Sequence, residues 1–264
     1  MQLFRTVEEN LRAAMACYSR VSDRGESREY PGVVVTCSGV NIAVFNSALL
    51  TAPATLPELE QAIAVSSLHF QSKSMGWSFW LCDDFLEPGL RAPSRNILRE
   101  RGLSLVAQPP GMYAEQVNAA TRPPVPMDIR PIDDVRTRLD FAHISSIVFA
   151  LPFTSAKRIY SESALWQPPM RGWVGYVNDR AVSVVTSVMA GDVAGVYSLG
   201  TLPQHRCRGF GETLLRHAIE EARKDTGITR SILQSTNDGF NLYMRMGYQV
   251  VTGFGVYTKE HHAM

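Results

Sequence analysis

The amino-acid sequence predicts an α/β fold, in which strands and helices alternate along the chain. A strand pattern at 196–201 leads through a short glycine-containing turn into an amphipathic helix. Two alternating apolar runs, at 173–177 and 181–189, flank Asn178-Asp179, a dipeptide typical of a β-hairpin turn. An earlier part of the chain repeats the order strand, helix and strand. Together these observations predict a sheet flanked by helices.

The first part of the chain contains its own series of elements. Hydrophobic spacing predicts helices at 7–21, 59–72 and 94–101, two β-rich runs within 32–51, and strands at 77–82 and 103–107. Further along, a strand near 128–131 and helices at 133–149 and 153–165 precede the hairpin. The later amphipathic helix should end near Gly227, a favourable C-terminal cap. Its apolar stripe consists of Phe210, Leu214, Leu215, Ala218, Ile219 and Ala222.

The composition is that of an ordinary globular protein of one large or two small domains. Of 264 residues, 45% are hydrophobic and 19% charged, and the net charge is +1. This balance argues against a general nucleic-acid or membrane surface. The uncharged stretch 31–57 is broken by glycine, asparagine and proline, so no membrane span is expected. The four cysteines lack C-x-x-C spacing, which predicts reduced thiols, a cytoplasmic location and no metal site. Charges within residues 1–20 argue against a signal peptide.

The turn before the amphipathic helix has the chemistry of an anion cradle. A helix N-terminus leaves backbone N–H groups unpaired, and the helix dipole adds positive potential there. Gly209 and Gly211 allow an anion to approach the backbone, and Arg206 and Arg208 can add charge-assisted bonds. The turn lacks the Gly-Lys-Ser/Thr of a Walker loop and the three spaced glycines of a Rossmann fingerprint. It therefore predicts a phosphorylated ligand of another type.

Two motifs in this region resemble those of the GNAT N-acetyltransferase superfamily. Arg206, Gly209 and Gly211 match the family's acetyl-CoA motif after a strand and a proline. Tyr243 and Gly247-Tyr248 match its second motif, a short helix that ends in Tyr-x-x-x-Gly-Phe/Tyr. The resemblance covers roughly residues 127–259. It implies a mixed, mostly antiparallel sheet with a V-shaped opening for acetyl-CoA.

The resemblance also implies a reaction and a set of site residues. The expected activity is transfer of an acetyl group from acetyl-CoA to a primary amine of a small-molecule acceptor, by direct transfer. Tyr243 stands where the family places a general acid. The residues expected to bind the cosubstrate are Leu199, Gly200, Thr201, Arg206, Cys207, Arg208, Gly209, Phe210, Gly211, Glu212, Asn237, Phe240 and Asn241.

Several roles stay open at this stage. The general base is not identified among Glu162, Asp192, His143 and His205. Phe153, Tyr160, Trp166 and Met170 are either acceptor-side residues or parts of the core. A protein or peptide N-acetyltransferase and a non-catalytic acyl-CoA-binding regulatory module are the alternative functions. The chain shows no acidic run that would receive a basic peptide. Both a monomer and a homodimer are compatible with the sequence.

The order of elements suggests that the chain contains two GNAT-like halves. Residues 49–53 line up with 199–203, and a helix, a strand and a short helix follow in both places. After Pro53 the first copy has neither the glycine pair nor an arginine, so it should not bind CoA. We therefore expect a degenerate domain at 1–115, a polar, proline-rich linker at 116–126 and an acetyltransferase domain at 127–264, with one CoA per chain.

Overall fold

The computed structural model describes residues 2–259, which form two compact units. One unit, called here the C-terminal unit, combines the chain up to Cys17 with Met112–Gln249. The other, the N-terminal unit, combines Tyr18–Gly111 with the segment that begins at Val250. The units therefore exchange their terminal segments, and they differ in this respect from the expected ranges 1–115 and 127–264.

Helices and strands alternate as the sequence predicts. The helices are α1 (Leu3–Cys17), α2 (Leu56–Ser72), α3 (Arg91–Glu100), α4 (Val135–Val148), α5 (Phe153–Tyr160), α6 (Phe210–Thr226) and α7 (Asn237–Arg245). The strands are β1 (Glu26–Tyr30), β2 (Val33–Cys37), β3 (Ser47–Leu50), β4 (Trp77–Cys82), β5 (Ser104–Ala107), β6 (Pro110–Ala114), β7 (Asp128–Pro131), β8 (Met170–Val177), β9 (Arg180–Ala190), β10 (Val193–Thr201), β11 (Ser231–Gln234) and β12 (Gln249–Lys259). No helix within residues 2–259 is long and apolar enough to cross a membrane.

The C-terminal unit is built on a mixed sheet with the order β6-β11-β10-β9-β8-β7. Strands β7 to β10 pair antiparallel, whereas β10 and β11 pair parallel. The six residues of the predicted apolar stripe of α6 are all buried, and α6 ends at Gly227 in the left-handed conformation (φ 75°). The hairpin between β8 and β9 is also confirmed, because Asn178 and Asp179 both have positive φ, as a type I′ turn requires.

Helix α1 packs on the C-terminal unit, although it opens the chain. Its Asn10 Nδ2 donates to the carbonyl oxygens of Val188 and Val193 at 3.1 and 3.2 Å. The hydroxyl of Tyr197 donates to Asn10 Oδ1 at 2.7 Å. These buried bonds fix the helix on β9 and β10. The helix also begins and ends four residues earlier than the predicted range 7–21.

In the N-terminal unit the strand order is β1-β2-β3-β4-β12, and β5 pairs with β12. Its β3 and β4 are parallel and are joined by α2, just as α6 joins the parallel strands β10 and β11. Residues 43–45 form a 3-10 turn instead of the predicted strand. The cause is Asn46, whose buried amide donates to the carbonyls of Val40, Ile42 and Gly76.

The segment expected to be a linker runs along the C-terminal unit. Asn118 N donates to the carbonyl oxygen of Met246 at 2.8 Å, and its amide donates to that of Arg245. Arg216 on α6 donates to the Asn118 carbonyl at 2.7 Å. Val125 N donates to Thr213 Oγ1 at 3.0 Å. These bonds hold the segment at two places against the helices α6 and α7.

Candidate active site

Strands β10 and β11 separate soon after they meet. Their parallel pairing covers only Ala194 with Ser231 and Gly195 with Ile232. Beyond Gly195, β10 continues for six residues without a register partner on β11. The sheet therefore opens into a V between these strands, and the turn that follows β10 lies at the same end of the strand.

A β-bulge interrupts β10 inside this opening. Tyr197 pairs with Thr186 on β9, but Gly200 pairs with Val184, so β10 has one extra residue between them. Ser198 takes a positive φ of 50°, and Leu199 has no register partner on β9 or β11. Bulges of this kind commonly adjoin active sites, since they redirect a short stretch of backbone. The bulge leaves Leu199 without a register partner on either neighbouring strand.

The predicted cosubstrate residues Gly200 and Thr201 pair with β9 after the bulge. Gly200 O accepts a hydrogen bond from Ser183 Oγ at 2.8 Å, and Thr201 O accepts one from Arg206 Nε at 3.2 Å. A Cβ on Gly200 would lie 3.0 Å from Val148 and 3.4 Å from Phe149. The end of β10 is therefore in close contact with the end of α4.

The turn from Arg206 to Gly211 alternates between two backbone conformations. Cys207 and Gly209 have left-handed φ values of 59° and 89°, whereas Arg206 is extended. A Cβ on Gly209 would lie 2.7 Å from Val125 Cγ2, so both the positive φ and this packing favour glycine. Turns with such alternation can direct successive N–H groups into one concave anion-binding surface.

The N–H groups at the start of α6 are free to bind an anion. Within residues 2–259, none of the backbone N–H groups from Cys207 to Glu212 donates a hydrogen bond, and the first donor in the helix is Thr213 N, to Gly209 O. Six consecutive donors at a helix N-terminus, where the dipole adds positive potential, form a strong site for phosphate groups. Gly211 leaves their approach open, since the described neighbour nearest to its absent Cβ is Thr201 Oγ1, at 3.3 Å.

The two arginines of the turn differ in their contacts. Arg206 donates to Thr201 O, and its Nη1 lies 3.7 Å from the exposed carboxylate of Asp238 on α7. The exposed Arg208 has no ion pair or hydrogen bond to the part of the chain that the structure describes. Its charge is therefore available to a ligand, whereas the charge of Arg206 is shared with Asp238.

The corresponding helix start in the N-terminal unit carries a carboxylate of its own. There Glu58 Oε2 accepts from the backbone N and the hydroxyl of Thr55, at 2.8 and 2.7 Å. These bonds lower the pKa of Glu58, which keeps the carboxylate charged. The first turn of α2 thus carries its own anion, as a capping box provides, and Pro57 removes one of its donors. The absence of a second cradle stays a prediction.

Tyr243 lies on α7 with its ring in the core. The residue is 8% exposed, and its ring packs edge to face on Tyr248 at 5.8 Å. Burial raises the pKa of Tyr243 to about 12, so the phenol keeps its proton throughout the neutral range. The hydroxyl makes no hydrogen bond to residues 2–259. A Cβ on Gly239 would lie only 2.7 Å from the Tyr243 ring, so this glycine allows α7 to pack over the ring.

The remaining predicted cosubstrate residues are divided between surface and core. Cys207 is exposed, as are Asn237 and Asn241 on α7. Phe210 is buried in the core, and Phe240 is partly buried against it. The Glu212 carboxylate is paired with Arg216 Nη2 at 2.8 Å.

The four open candidates for a general base have ordinary environments. Asp192 pairs with Arg230 at 2.6 Å, and Glu162 precedes a single 3-10 turn. The exposed His143 packs its ring on Phe153. His205 packs on Phe210, and its buried Nδ1 has no hydrogen-bond partner in the described chain. None of these contacts distinguishes one of the four as the base.

The four aromatic or sulfur-containing candidates on the acceptor side are mostly core residues. Tyr160 and Trp166 are buried with Phe141, and Trp166 Nε1 donates to Tyr160 O at 3.0 Å. Met170 is buried as well. Phe153 is 47% exposed and is the one of the four that can contact a ligand directly. Sequence reasoning missed Phe149, which is 36% exposed at the end of α4 beside Gly200.

The described residues provide no metal centre. No group of three or more histidine, cysteine, aspartate or glutamate side chains within 2–259 is arranged to hold a metal ion. All four cysteines are free thiols, three of them buried.

Comparisons with known proteins agree with this geometry. Residues 141–248 match the model of the acetyltransferase (GNAT) family. The comparison with curated proteins gives no significant match.

Several solved structures share the fold. A GCN5-related N-acetyltransferase from Kribbella flavida is 18% identical, with a TM-score of 0.69 over 94% of each chain. A protein of unknown function from Staphylococcus epidermidis is 17% identical, with a TM-score of 0.63 over 93% of this chain and 98% of that one. A tandem GNAT protein from the clavulanic acid biosynthesis pathway is 10% identical, with a TM-score of 0.50 over 88% of this chain and 79% of that one. Residues 141–248 therefore form a domain similar to the acetyltransferase (GNAT) family, within a chain that shares its fold with solved GNAT structures.

Proposed function

We propose that this domain transfers an acetyl group from acetyl-CoA directly to a primary amine of a small-molecule acceptor. The observation that carries the proposal is the run of free N–H groups from Cys207 to Glu212, placed beside the opening between β10 and β11. A cradle of this kind suits a pyrophosphate, and the adjoining opening suits an extended arm. Acetyl-CoA would supply the activated thioester.

Each step of the transfer has a candidate residue. The backbone donors with Arg206 and Arg208 would hold the phosphates. Leu199 lies at the bulge without a register partner, so its N–H is the best candidate to stabilise developing negative charge on an acyl oxygen. The Tyr243 phenol, protonated and without a hydrogen-bond partner in the described chain, is suited to give a proton to a departing thiolate. Positioning of the two substrates would supply much of the remaining rate enhancement.

The surface beside Gly200 supports a small acceptor more than a basic peptide. Phe149 and Phe153 expose apolar rings in this region, and Phe149 lies within contact distance of a Cβ on Gly200. A basic peptide would be attracted by carboxylates, which these residues do not provide. A small amine with an apolar part fits such a surface better. A cytoplasmic location, where free thiols persist, belongs to the same proposal.

The experiment combines binding and turnover. Acetyl-CoA is titrated into the full chain by calorimetry, and a panel of amines is then scored by release of free thiol. We expect binding together with acceptor-dependent thiol release. Failure of acetyl-CoA to bind would contradict the proposal, whereas binding without turnover on any amine or peptide would favour the regulatory module.

Tyr243→Phe tests the role of the phenol. Removing the hydroxyl leaves the packing of the ring intact, so acetyl-CoA affinity should stay unchanged while kcat falls about a hundredfold or more. Tyr257→Phe is the matched control, because Tyr257 is a similarly buried tyrosine of the N-terminal unit. Equal kcat values for both variants would exclude Tyr243 as the acid.

A further inference from the structure

The N-terminal unit contains a groove between its edge strand and its longest helix. The groove has a volume of about 450 Å³. Glu26, Arg28 and Tyr30 alternate along β1 and form one wall. Leu68 and His69 of α2, with Lys73 just after it, form the other wall. We call this feature the β1–α2 groove.

His69 is the buried polar group of the groove. Its side chain is 3% exposed, and its Nδ1 lies 3.1 Å from the hydroxyl of Tyr30, at hydrogen-bonding distance. Its Nε2 has no hydrogen-bond partner among residues 2–259, although Glu26 Oε1 lies 3.4 Å away. Burial lowers the pKa of His69, so the ring is neutral at pH 7. A buried polar atom without a partner is unfavourable, and a ligand oxygen at Nε2 would remove this cost.

The charges around His69 sum to one positive charge. Lys73 Nζ lies 2.7 Å from Glu26 Oε1, and Arg28 Nη2 lies 3.3 Å from Glu26 Oε2. Two cations thus share one carboxylate while His69 is neutral. The groove can compensate a ligand with a single negative charge. A phosphate dianion would leave an excess negative charge next to Glu26.

The rim of the groove is apolar. Leu68 is 66% exposed on α2, and Val65, one turn earlier on the helix, is partly buried. Both lie at the groove, on the same side of α2 as His69. An apolar ligand group placed on these side chains would bury surface that is now in contact with water.

We propose that the β1–α2 groove binds a small monocarboxylic acid with an apolar tail. The carboxylate accepts a hydrogen bond from His69 Nε2 and is attracted by Arg28 and Lys73, and the tail packs on Leu68 and Val65. The site lies wholly within the N-terminal unit. It is independent of acetyl transfer, so each proposal can fail without the other.

The test uses the full chain with isotope-labelled histidine and follows the imidazole resonances by NMR. His69→Gln identifies the signal of His69. The probe is 4-methylpentanoate, and its amide and inorganic phosphate are the comparison compounds. We expect saturable shifts of the His69 resonance by the acid, with a Kd of about 1 mM, and no saturable shift by the amide. Binding of the amide or of phosphate as tight as that of the acid would overturn the proposal.

Two exposed side chains give variants that should fold normally. Arg28→Gln removes one charge and should weaken binding of the acid about tenfold. Leu68→Ser removes the apolar rim and should weaken it severalfold. Arg99→Gln, at an exposed arginine of α3 outside the groove, is the matched control and should bind like the unmodified chain. An equal effect of Arg28→Gln and Arg99→Gln, or no saturable shift of His69 in the unmodified chain, would refute the site.

Discussion

Replacing Gly211 with alanine should weaken ligand binding without lowering the free energy of unfolding. Gly211 is the second residue of α6, and it does not need the left-handed conformation that Gly209 adopts. A Cβ at this position would lie 3.3 Å from Thr201 Oγ1, a contact that a shift of a few tenths of an ångström relieves. The same methyl group would take up space beside the free N–H groups at the start of α6.

The two expected effects have opposite signs. Alanine is more favourable than glycine in a helix by up to about 1 kcal/mol, so the free energy of unfolding should stay the same or rise slightly. The methyl group would keep a phosphate from one N–H donor, worth about 1.5–3 kcal/mol as a charge-assisted bond. Acetyl-CoA affinity should therefore fall about 10- to 100-fold.

Calorimetric titration with acetyl-CoA and denaturant unfolding measure the two effects on the same sample. Gly89→Ala is the control, because a Cβ there would meet no described atom within 4 Å and the residue has no positive φ. A Gly211→Ala variant that binds acetyl-CoA within about twofold of the unmodified chain would refute the cradle as the phosphate site.

Three other predictions test the turn, the first helix and a buried carboxyl group. Arg208→Gln should weaken acetyl-CoA binding about tenfold, as measured by calorimetry. Arg223→Gln is the control and should not weaken it, because Arg223 lies at the other end of α6, about 20 Å away. Equal effects of the two variants would exclude a specific phosphate contact of Arg208. Asn10→Ala should lower the free energy of unfolding by about 2–4 kcal/mol, since it removes the bonds that Asn10 donates to two carbonyls and the bond that it accepts from Tyr197. A loss no larger than that of Asn96→Ala, at an exposed position of α3, would contradict this account. Burial raises the pKa of Glu8 to about 8, above the value of 4.5 expected in the unfolded chain. The contribution of Glu8 to the free energy of unfolding is therefore fully present below about pH 4.5 and is lost as the pH rises through 8. Glu8→Gln should remove this loss, and parallel pH profiles of stability for both proteins would show that Glu8 is not its source.

The elements with strong local signals could be predicted from the sequence. The spacing of Leu214, Ala218 and Ala222 defined the buried face of α6, and Asn178-Asp179 defined the hairpin, because both signals act over a few residues. The polar edge strand β1 was not predicted, since ESREY lacks an apolar face. Its pairing with β2 comes from tertiary context.

The sequence motif of the site could be predicted, but the contacts and the backbone conformation of its residues could not. Gly209 and Gly211 marked the cradle, and the structure adds the free donors and the uneven contacts of Arg206 and Arg208. The bulge at Ser198–Leu199 has no glycine or proline to signal it, so only the register with β9 reveals it. The partner of α1 was equally hidden, because an amphipathic stripe does not say which sheet covers it. Asn10, a polar residue on a buried face, was one available sign.

The exchange of terminal elements affects how the chain can fold during synthesis. Asn10 finds its acceptor at Val188, 178 positions later in the chain. At roughly 5–20 residues per second, α1 waits about 10–40 s on the ribosome before its binding face exists. The N-terminal unit waits in turn for β12, which pairs with β4 along six residues from Phe254 to Lys259. Neither unit can be completed before the other is almost fully synthesised, so the two should mature together after translation instead of one after the other.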